Sequence, residues 1–544
     1  MSTRHASAGL ATCAPFLLTA LLIMTSAAPL APAAPPQSPT ADGTLDTTFG
    51  AGGMLRIALP GDLHTMSALA VQPDGKLLVA GKIIIPPGNQ LVLMRFNRDG
   101  SPDTTFGSGG KFIGEVGKMI WFSSIVPMPN GKILVGGIAY NNSDDFGLAR
   151  FNSDGTVDTT FGSDGTVLTD LGSADLGAVL LVQPDGKLLL AGEGGRPNQQ
   201  ASSFSVVRYD AAGNLDRSFG NSGIAMVSFS NGFDEVAAAA LQPDGKIVLA
   251  GLEDFNAEDH SFALARLNAD GSPDASFGSR GKVTTDFFGK GCDALAMAVQ
   301  ADGKIVAAGR AYGSPDVMVM ARYNPDGSLD KRFGTGGKVS YDFFGRGGEA
   351  HALAVQRDGK IIVGGIAGYD RPAHPRIDFA VLRYNPDGSL DTDFDGDGVA
   401  ITDSGSLYDF STAMAIQADG RIILGGDTGD DNGPDDLVVA RYLNTLPPFA
   451  QCIQDDANGN LLEFTPETGD YRFTACATGV TFTGRASVKV KGCKTRLLAA
   501  TGDHSLEVLI KTCQGKASAT LTPAGVAGLT IDDSSVTNNR CSCR

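Results

Sequence analysis

Residues 322–334 read Arg-Tyr-Asn-Pro-Asp-Gly-Ser-Leu-Asp-Lys-Arg-Phe-Gly, and residues 352–365 read Ala-Leu-Ala-Val-Gln-Arg-Asp-Gly-Lys-Ile-Ile-Val-Gly-Gly. Both phrases recur. The Phe of the first falls at Phe49, Phe106, Phe161, Phe219, Phe277, Phe333 and Phe394, a step of about 57 residues, and such a fixed period marks a repeat architecture. The Asp-Gly glycine of the second keeps step at Gly75, Gly131, Gly186, Gly245, Gly303, Gly359 and Gly420. A third landmark, Arg followed by an aromatic residue in most units, begins at Arg95, Arg150, Arg208, Arg266, Arg322, Arg383 and Arg441.

Between landmarks the sequence is strand-like. In the fifth unit the pieces begin at Lys282, Ala294, Lys304 and Val317, each about six residues long, the usual strand length. Asp302-Gly303 joins the middle two and signals a hairpin, because glycine accepts the positive φ of a tight turn. Four antiparallel strands per unit, none able to bury both faces alone, suit a propeller blade. The chain enters the array at the loop of Asp42 and leaves it after Arg441-Tyr442. Those ends are complementary, so the first strand, Met54 to Leu59, is expected to complete the last blade and close a ring of seven. The loops from strand two to three and from blade to blade, which carry the near-identical Asp-Gly phrases, then share one face. The dissimilar loops share the other.

The quoted phrases of residues 322–334 and 352–365 resemble the delta-60 repeat family, predicted β-propellers of secreted and surface proteins of bacteria. The resemblance spans all seven units and implies an all-β seven-bladed propeller of four-stranded blades, with no general activity attached to it.

The flanks read differently. Arg4 and His5 precede an apolar run from Ala14 to Met24 and then small residues, the order of a secretory signal, assigned to residues 1–34. The run is too short to span a bilayer, and no transmembrane segment is expected once it is removed. Residues 35–40 form a Pro-rich linker, 41–446 the propeller, 447–451 a second linker and 452–544 a C-terminal domain. That last segment holds Cys452, Cys476, Cys493, Cys513, Cys541 and Cys543, and its alternating stretches read as a small disulfide-linked β-sandwich-like domain. Spacings of 24, 17, 20, 28 and 2 residues do not fit paired zinc knuckles. Cys292, apart from the cluster, reads as a small buried residue. The expected location is secreted, at the cell surface or in the periplasm.

Composition narrows the function. The chain carries 43 Lys+Arg against 60 Asp+Glu, a net charge of −17, and shows no basic patch, so nucleic acid is not an expected partner. Neither His-Glu-x-x-His nor Gly-x-Ser-x-Gly occurs. His351 beside Glu349 is the nearest acid/base couple, and a structural role outweighs it. Asp391-Thr-Asp393-Phe-Asp395-Gly-Asp397-Gly matches the opening of a calcium loop, which makes Asp391, Asp393, Asp395 and Asp397 candidate Ca²⁺ ligands, although Thr402 stands where the closing bidentate Glu belongs. The remaining Asp-Gly loops read as side-chain-capped turns. On the dissimilar face Tyr140, His260, Tyr369, His374 and Arg376 are candidate binding residues. The leading expectation is a non-catalytic secreted propeller that binds an extracellular protein, glycan or polymer. A propeller hydrolase or lyase acting on an extracellular polysaccharide, and a structural shell or matrix protein, stand as alternatives.

Overall fold

The computed structural model describes residues 41–445 apart from 62–63, 86–87, 173, 196–200, 256–258, 357, 369–375 and 431–435, and, beyond them, a set of strands between Leu461 and Asp533. The signal, both linkers and the six C-terminal cysteines lie outside the described residues, as do Tyr369 and His374. No helix among the described residues is long and apolar enough to cross a membrane.

Seven antiparallel four-stranded sheets follow one another along the chain. In the fifth, Cys292–Val299 lies innermost, followed outward by Ile305–Ala311, Val317–Tyr323 and Lys338–Tyr341. Each blade therefore takes its outer strand from the start of the next sequence unit. The seventh has no next unit. Its strands Tyr408–Ile416, Ile422–Gly429 and Asp436–Tyr442 are completed by Met54–Ile57, with Met54 opposite Ala440 and Ile57 opposite Leu437. The expected closure is thus formed, and the ring has no free end strand to cap.

The second and third strands are buried almost throughout, since each is sandwiched between neighbouring blades. This explains their continuous Val/Ile/Leu/Ala runs where a half-exposed strand would alternate. A bulge interrupts the register of every inner strand near its start, as between Ala294 and Ala296 or between Ala350 and Ala352. Opposite each bulge the second strand carries a glycine, Gly309 or Gly365 for example. A Cβ there would collide with the carbonyl oxygen of Asp293 or Glu349. The recurring glycine of the sequence phrase is therefore set by this close approach.

The landmarks themselves meet in one node per blade. In blade four Arg266 Nε donates to Asp274 Oδ2 at 2.7 Å, and Lys246 Nζ reaches the same oxygen at 2.9 Å. The Arg266 guanidinium lies 4.6 Å above the Phe277 ring. Its Nη1 donates to the Pro325 carbonyl in the turn of the next blade. Asp274 Oδ1 meanwhile accepts from the Ser276 amide and hydroxyl. The pattern repeats with Asp103, Asp158, Asp216, Asp330, Asp391 and Asp46, the last paired with Arg441 and Arg421 across the closure. A lysine from one Asp-Gly turn meets an aspartate from the other, so both turns occupy the same face.

In the C-terminal region the strands form a five-stranded sheet in which Val480–Lys491 pairs with Asp470–Ala475 on one side and Ala517–Pro523 on the other. A short hairpin sets Leu498 opposite Glu507.

Candidate functional site on the dissimilar face

The opposite face is built from loops that lean on one another across blades. Cys292 N donates to the His260 carbonyl, Gly348 N to Asp316 and Asp175 N to Asp144. Counted outward within a blade, the loops between second and third strands thus meet those from an outer strand to the next inner one, and the Asp-Gly phrase expected to run from blade to blade instead joins the third to the outer strand of one blade. These contacts place both sets of dissimilar loops together.

Here the bulges bring polar residues of the inner strands into a network across blades four to seven. Asp293, on the inner strand of blade five, receives His260 Nε2 at 2.8 Å on one oxygen and Arg310 Nε at 2.9 Å on the other. Arg310 Nη1 continues to Glu349 Oε1 at 2.9 Å, and its Nη2 to Tyr312 Oη at 2.7 Å. Tyr312 Oη in turn donates to Asp293 at 3.0 Å. Glu349 Oε2 lies 3.0 Å from His351 Nε2, while His351 Nδ1 lies 2.6 Å from the Ser411 carbonyl. Because that carbonyl can only accept, Nδ1 carries a hydrogen. Burial pushes the Asp293 carboxyl upward, but His260 and Arg310 outweigh it and hold it below the usual range. Burial lowers the Arg310 pKa, but Glu349 and Asp293 overcome this and raise it.

A second cluster behaves in the opposite way. Burial, with Glu235, Asp175 and Asp234 nearby, pushes Glu193 up to about 7. Asp175, fully buried and accepting from the Leu171 and Gly195 amides, is pushed up to about 6, again by burial first. Among the described residues, Asp145, Asp170 and Asp175 form one trio of carboxylates close enough to share an ion, and Asp378, Asp403 and Asp409 another.

Of the residues expected to bind, Tyr140 is exposed at the tip of blade two. His260 is buried and bound to Asp293, which makes it an internal support and not a contact surface. Arg376 is partly exposed and donates to Asp403 at 2.6 Å and to the Ser406 carbonyl. The described residues do not bring these three into one pocket. In the candidate calcium loop, Asp391 is the node aspartate of blade six, gripped by Arg383 and Lys360. Asp397 Oδ1 accepts from the Val399 amide. Asp395, at φ +52°, is pushed up to about 6 by burial and by Asp397. Cys292 is buried and free, and burial pushes its thiol up to about 11, in keeping with a packing role.

The sequence reading missed Asp293, Arg310, Tyr312, Asp175 and Glu193. For Asp293, Arg310 and Glu193 the one signal was a charged side chain inside an inner or second strand, while Asp175 and Tyr312 lie just outside those strands and gave none.

Comparison with known proteins adds the following. No curated protein matches the chain. Among solved structures it is similar to a catalytically inactive virginiamycin B lyase from Staphylococcus aureus with quinupristin, at 10% identity and a TM-score of 0.41, over 71% of this chain and 98% of that one. It is also similar to the polysaccharide lyase Uly1, at 11% identity and a TM-score of 0.42, covering 71% and 90%. Drosophila Semaphorin 2a gives 9% identity and a TM-score of 0.42, covering 86% and 96%. At these values none of the three bears on what this chain does. Residues 72–106, 129–161, 183–219, 242–277, 300–333, 356–394 and 417–445 each match the family model described as "Domain of unknown function (DUF5122) beta-propeller", and the array is a seven-bladed β-propeller whose units are similar to that model.

Proposed function

We propose that the protein is a secreted, non-catalytic propeller that uses its dissimilar face to hold an extracellular partner, the repeated face serving as scaffold. The observation that carries this reading is the saturation of the His–carboxylate network. Both nitrogens of His351, both oxygens of Asp293 and both oxygens of Glu349 already have partners, and Arg310 bridges the two acids. A general base needs a lone pair within reach of substrate. This network offers rigidity instead.

One observation favours the hydrolase or lyase alternative. A carboxyl held near pH 7, as Glu193 is, has the acidity of a general acid. The two readings separate in one experiment. The purified chain is incubated with a panel of extracellular polysaccharides, and retention is scored alongside new reducing ends and ultraviolet-absorbing unsaturated ends. Retention without bond cleavage, weakened by Tyr140→Ala and Arg376→Ala together, is the expected result. Cleavage that disappears in Glu193→Gln would replace this reading with the enzymatic one.

A further inference from the structure

Two adjacent interblade loops on this face share a sequence that no other blade has. Residues 286–291 read Asp-Phe-Phe-Gly-Lys-Gly and 342–347 read Asp-Phe-Phe-Gly-Arg-Gly. In each, the first Phe is structural. Phe287 and Phe343 are buried against their blades, occupying the place that Val116 and Leu171 fill elsewhere. The second Phe is not structural. Phe288 is 65% exposed and Phe344 81% exposed, the two most exposed large apolar side chains among the described residues.

The backbone makes these exposures more telling. Phe288 has φ +66° and Phe344 φ +62°, left-handed values that bulky side chains rarely adopt. The leading aspartate folds each loop: Asp286 accepts from the Gly289 amide, and Asp342 from the Phe344 amide. A loop that needed only this shape would be served better by glycine at the strained position. An aromatic ring held outward there, twice, is the kind of local strain that accompanies a binding role.

A cation stands two residues beyond each ring. Neither Lys290 nor Arg346 makes an ion pair with any described residue. Phe344, Arg346, Arg376 and Ile401 line one shallow pocket. Of the neighbouring acids, Asp293 and Glu349 pair with Arg310, and Asp403 and Asp378 with Arg376, while Asp286 and Asp342 of the loops themselves accept from backbone amides. In a chain of net charge −17 each of these two rings thus has a cation beside it that no described acid pairs.

We infer that the Phe288/Lys290 and Phe344/Arg346 loops form two equivalent subsites for an acidic polysaccharide, an inference that rests on the recognition-face reading above. The flat apolar face of a pyranose ring packs on the Phe, and the ring's carboxylate or sulfate pairs with the adjacent cation. Two like platforms one blade apart suit a ligand that itself repeats.

The test uses the full chain, polygalacturonate as the acidic probe and dextran as the neutral one, with binding followed by affinity electrophoresis and calorimetry. Phe288→Gly and Phe344→Gly should each weaken polygalacturonate binding at least about tenfold, as expected for an anchor residue, and together abolish it. Both variants should keep the parent's melting temperature or exceed it, because glycine suits the left-handed backbone. Lys290→Gln with Arg346→Gln should weaken binding by a similar factor and flatten its salt dependence. Unchanged binding in the double Phe variant overturns the inference. So does parent binding to neither probe, or equal parent binding to dextran. In the last case loss of dextran binding in the Phe variants would leave the recognition-face reading standing. Binding of either probe untouched by every change on this face would remove both.

Discussion

The node at Asp274 offers the sharpest test of what holds the ring. Arg266 and Asp274 are each buried, and replacing Asp274 with Ala leaves the Arg266 guanidinium without its counter-charge while removing the capped turn at Ser276. Breaking a buried pair from one side costs about 3–5 kcal/mol, and the lost turn bonds add about 1 kcal/mol. Lys246 contacts the same carboxylate but its side chain is 28% exposed, so Lys246→Ala should cost under about 1 kcal/mol. With a urea slope of about 3 kcal/mol/M, the first change moves the unfolding midpoint by more than about 1 M and the second by a few tenths. Replacing both members, Asp274→Ala with Arg266→Met, removes the orphaned charge and should recover part of the loss. Equilibrium urea unfolding followed by near-ultraviolet circular dichroism measures all four proteins. If Asp274→Ala and Lys246→Ala prove equal, or the double change is no more stable than Asp274→Ala alone, the node is not the buried clamp described above.

The acids of the two faces should give opposite pH responses. Glu193, raised on folding to about 7 from an ordinary value of 4.5, binds its proton more tightly when folded. It therefore favours folding fully below about 4.5 and withdraws up to about 3 kcal/mol as pH rises through 7, so Glu193→Gln should stabilise at pH 8 and change little at pH 5. The node aspartates are lowered on folding, so their contribution is present above about 3.8 and fades as pH falls further; acid titration of stability should bend there. Deleting residues 1–60 leaves Leu437–Ala440 as an unpaired edge and strips Asp46 and Phe49 from the closing node; an unchanged unfolding midpoint in that truncation would show that closure contributes nothing. In the C-terminal region, Cys493 is expected to bridge Cys513 across the turn near residue 503, with Cys541 and Cys543 each taking one of Cys452 and Cys476; peptide mapping that joins Cys493 to any other cysteine contradicts it.

What the sequence disclosed depended on repetition. Arg266, Asp274 and Phe277 recur in every unit, and Lys246 in all but the seventh, where Arg421 stands, because each blade must solve the same packing problem, so ring size, strand number, closure and the capped turns were all legible. Outer-strand membership was less so. Lys282–Thr285 precedes its own unit's other strands but hydrogen-bonds to the blade before it, and only pairing geometry reveals that. On the dissimilar face, prominence in a loop misled. His260 stands in a polar loop beside Asp259 yet its ring turns inward to Asp293, because a buried carboxylate on the neighbouring blade offers more than water does. Asp391 opened a calcium-like phrase, but the node needed its carboxylate for Arg383 and Lys360. Phe288 and Phe344 sat in plain view with nothing in the sequence to single them out. Exposure and a left-handed backbone, neither visible in a string of letters, set them apart.

The division of labour between the faces follows from where the stabilising contacts lie. Seven nodes of one design place the ring's repeated polar anchoring on one side: six fasten their blade to the next through an arginine and a backbone carbonyl, and Arg383 does so through the side chains of Asp42 and Asn444. The other side, where cross-blade contacts such as His260 to Asp293 and Arg310 to Glu349 differ from joint to joint, is free of that uniformity. Its inner strands can carry Glu349 in one blade and Leu176 in another, or its loops a single Phe in one blade and a pair in the next, without loosening the joints. A charged pair such as Asp293 and Arg310 is affordable there only because bulge and glycine fix the strand at that point, holding donor and acceptor within 2.9 Å. The bulges thus do for the dissimilar face what the nodes do for the repeated one: they set the backbone, so that the side chains can differ.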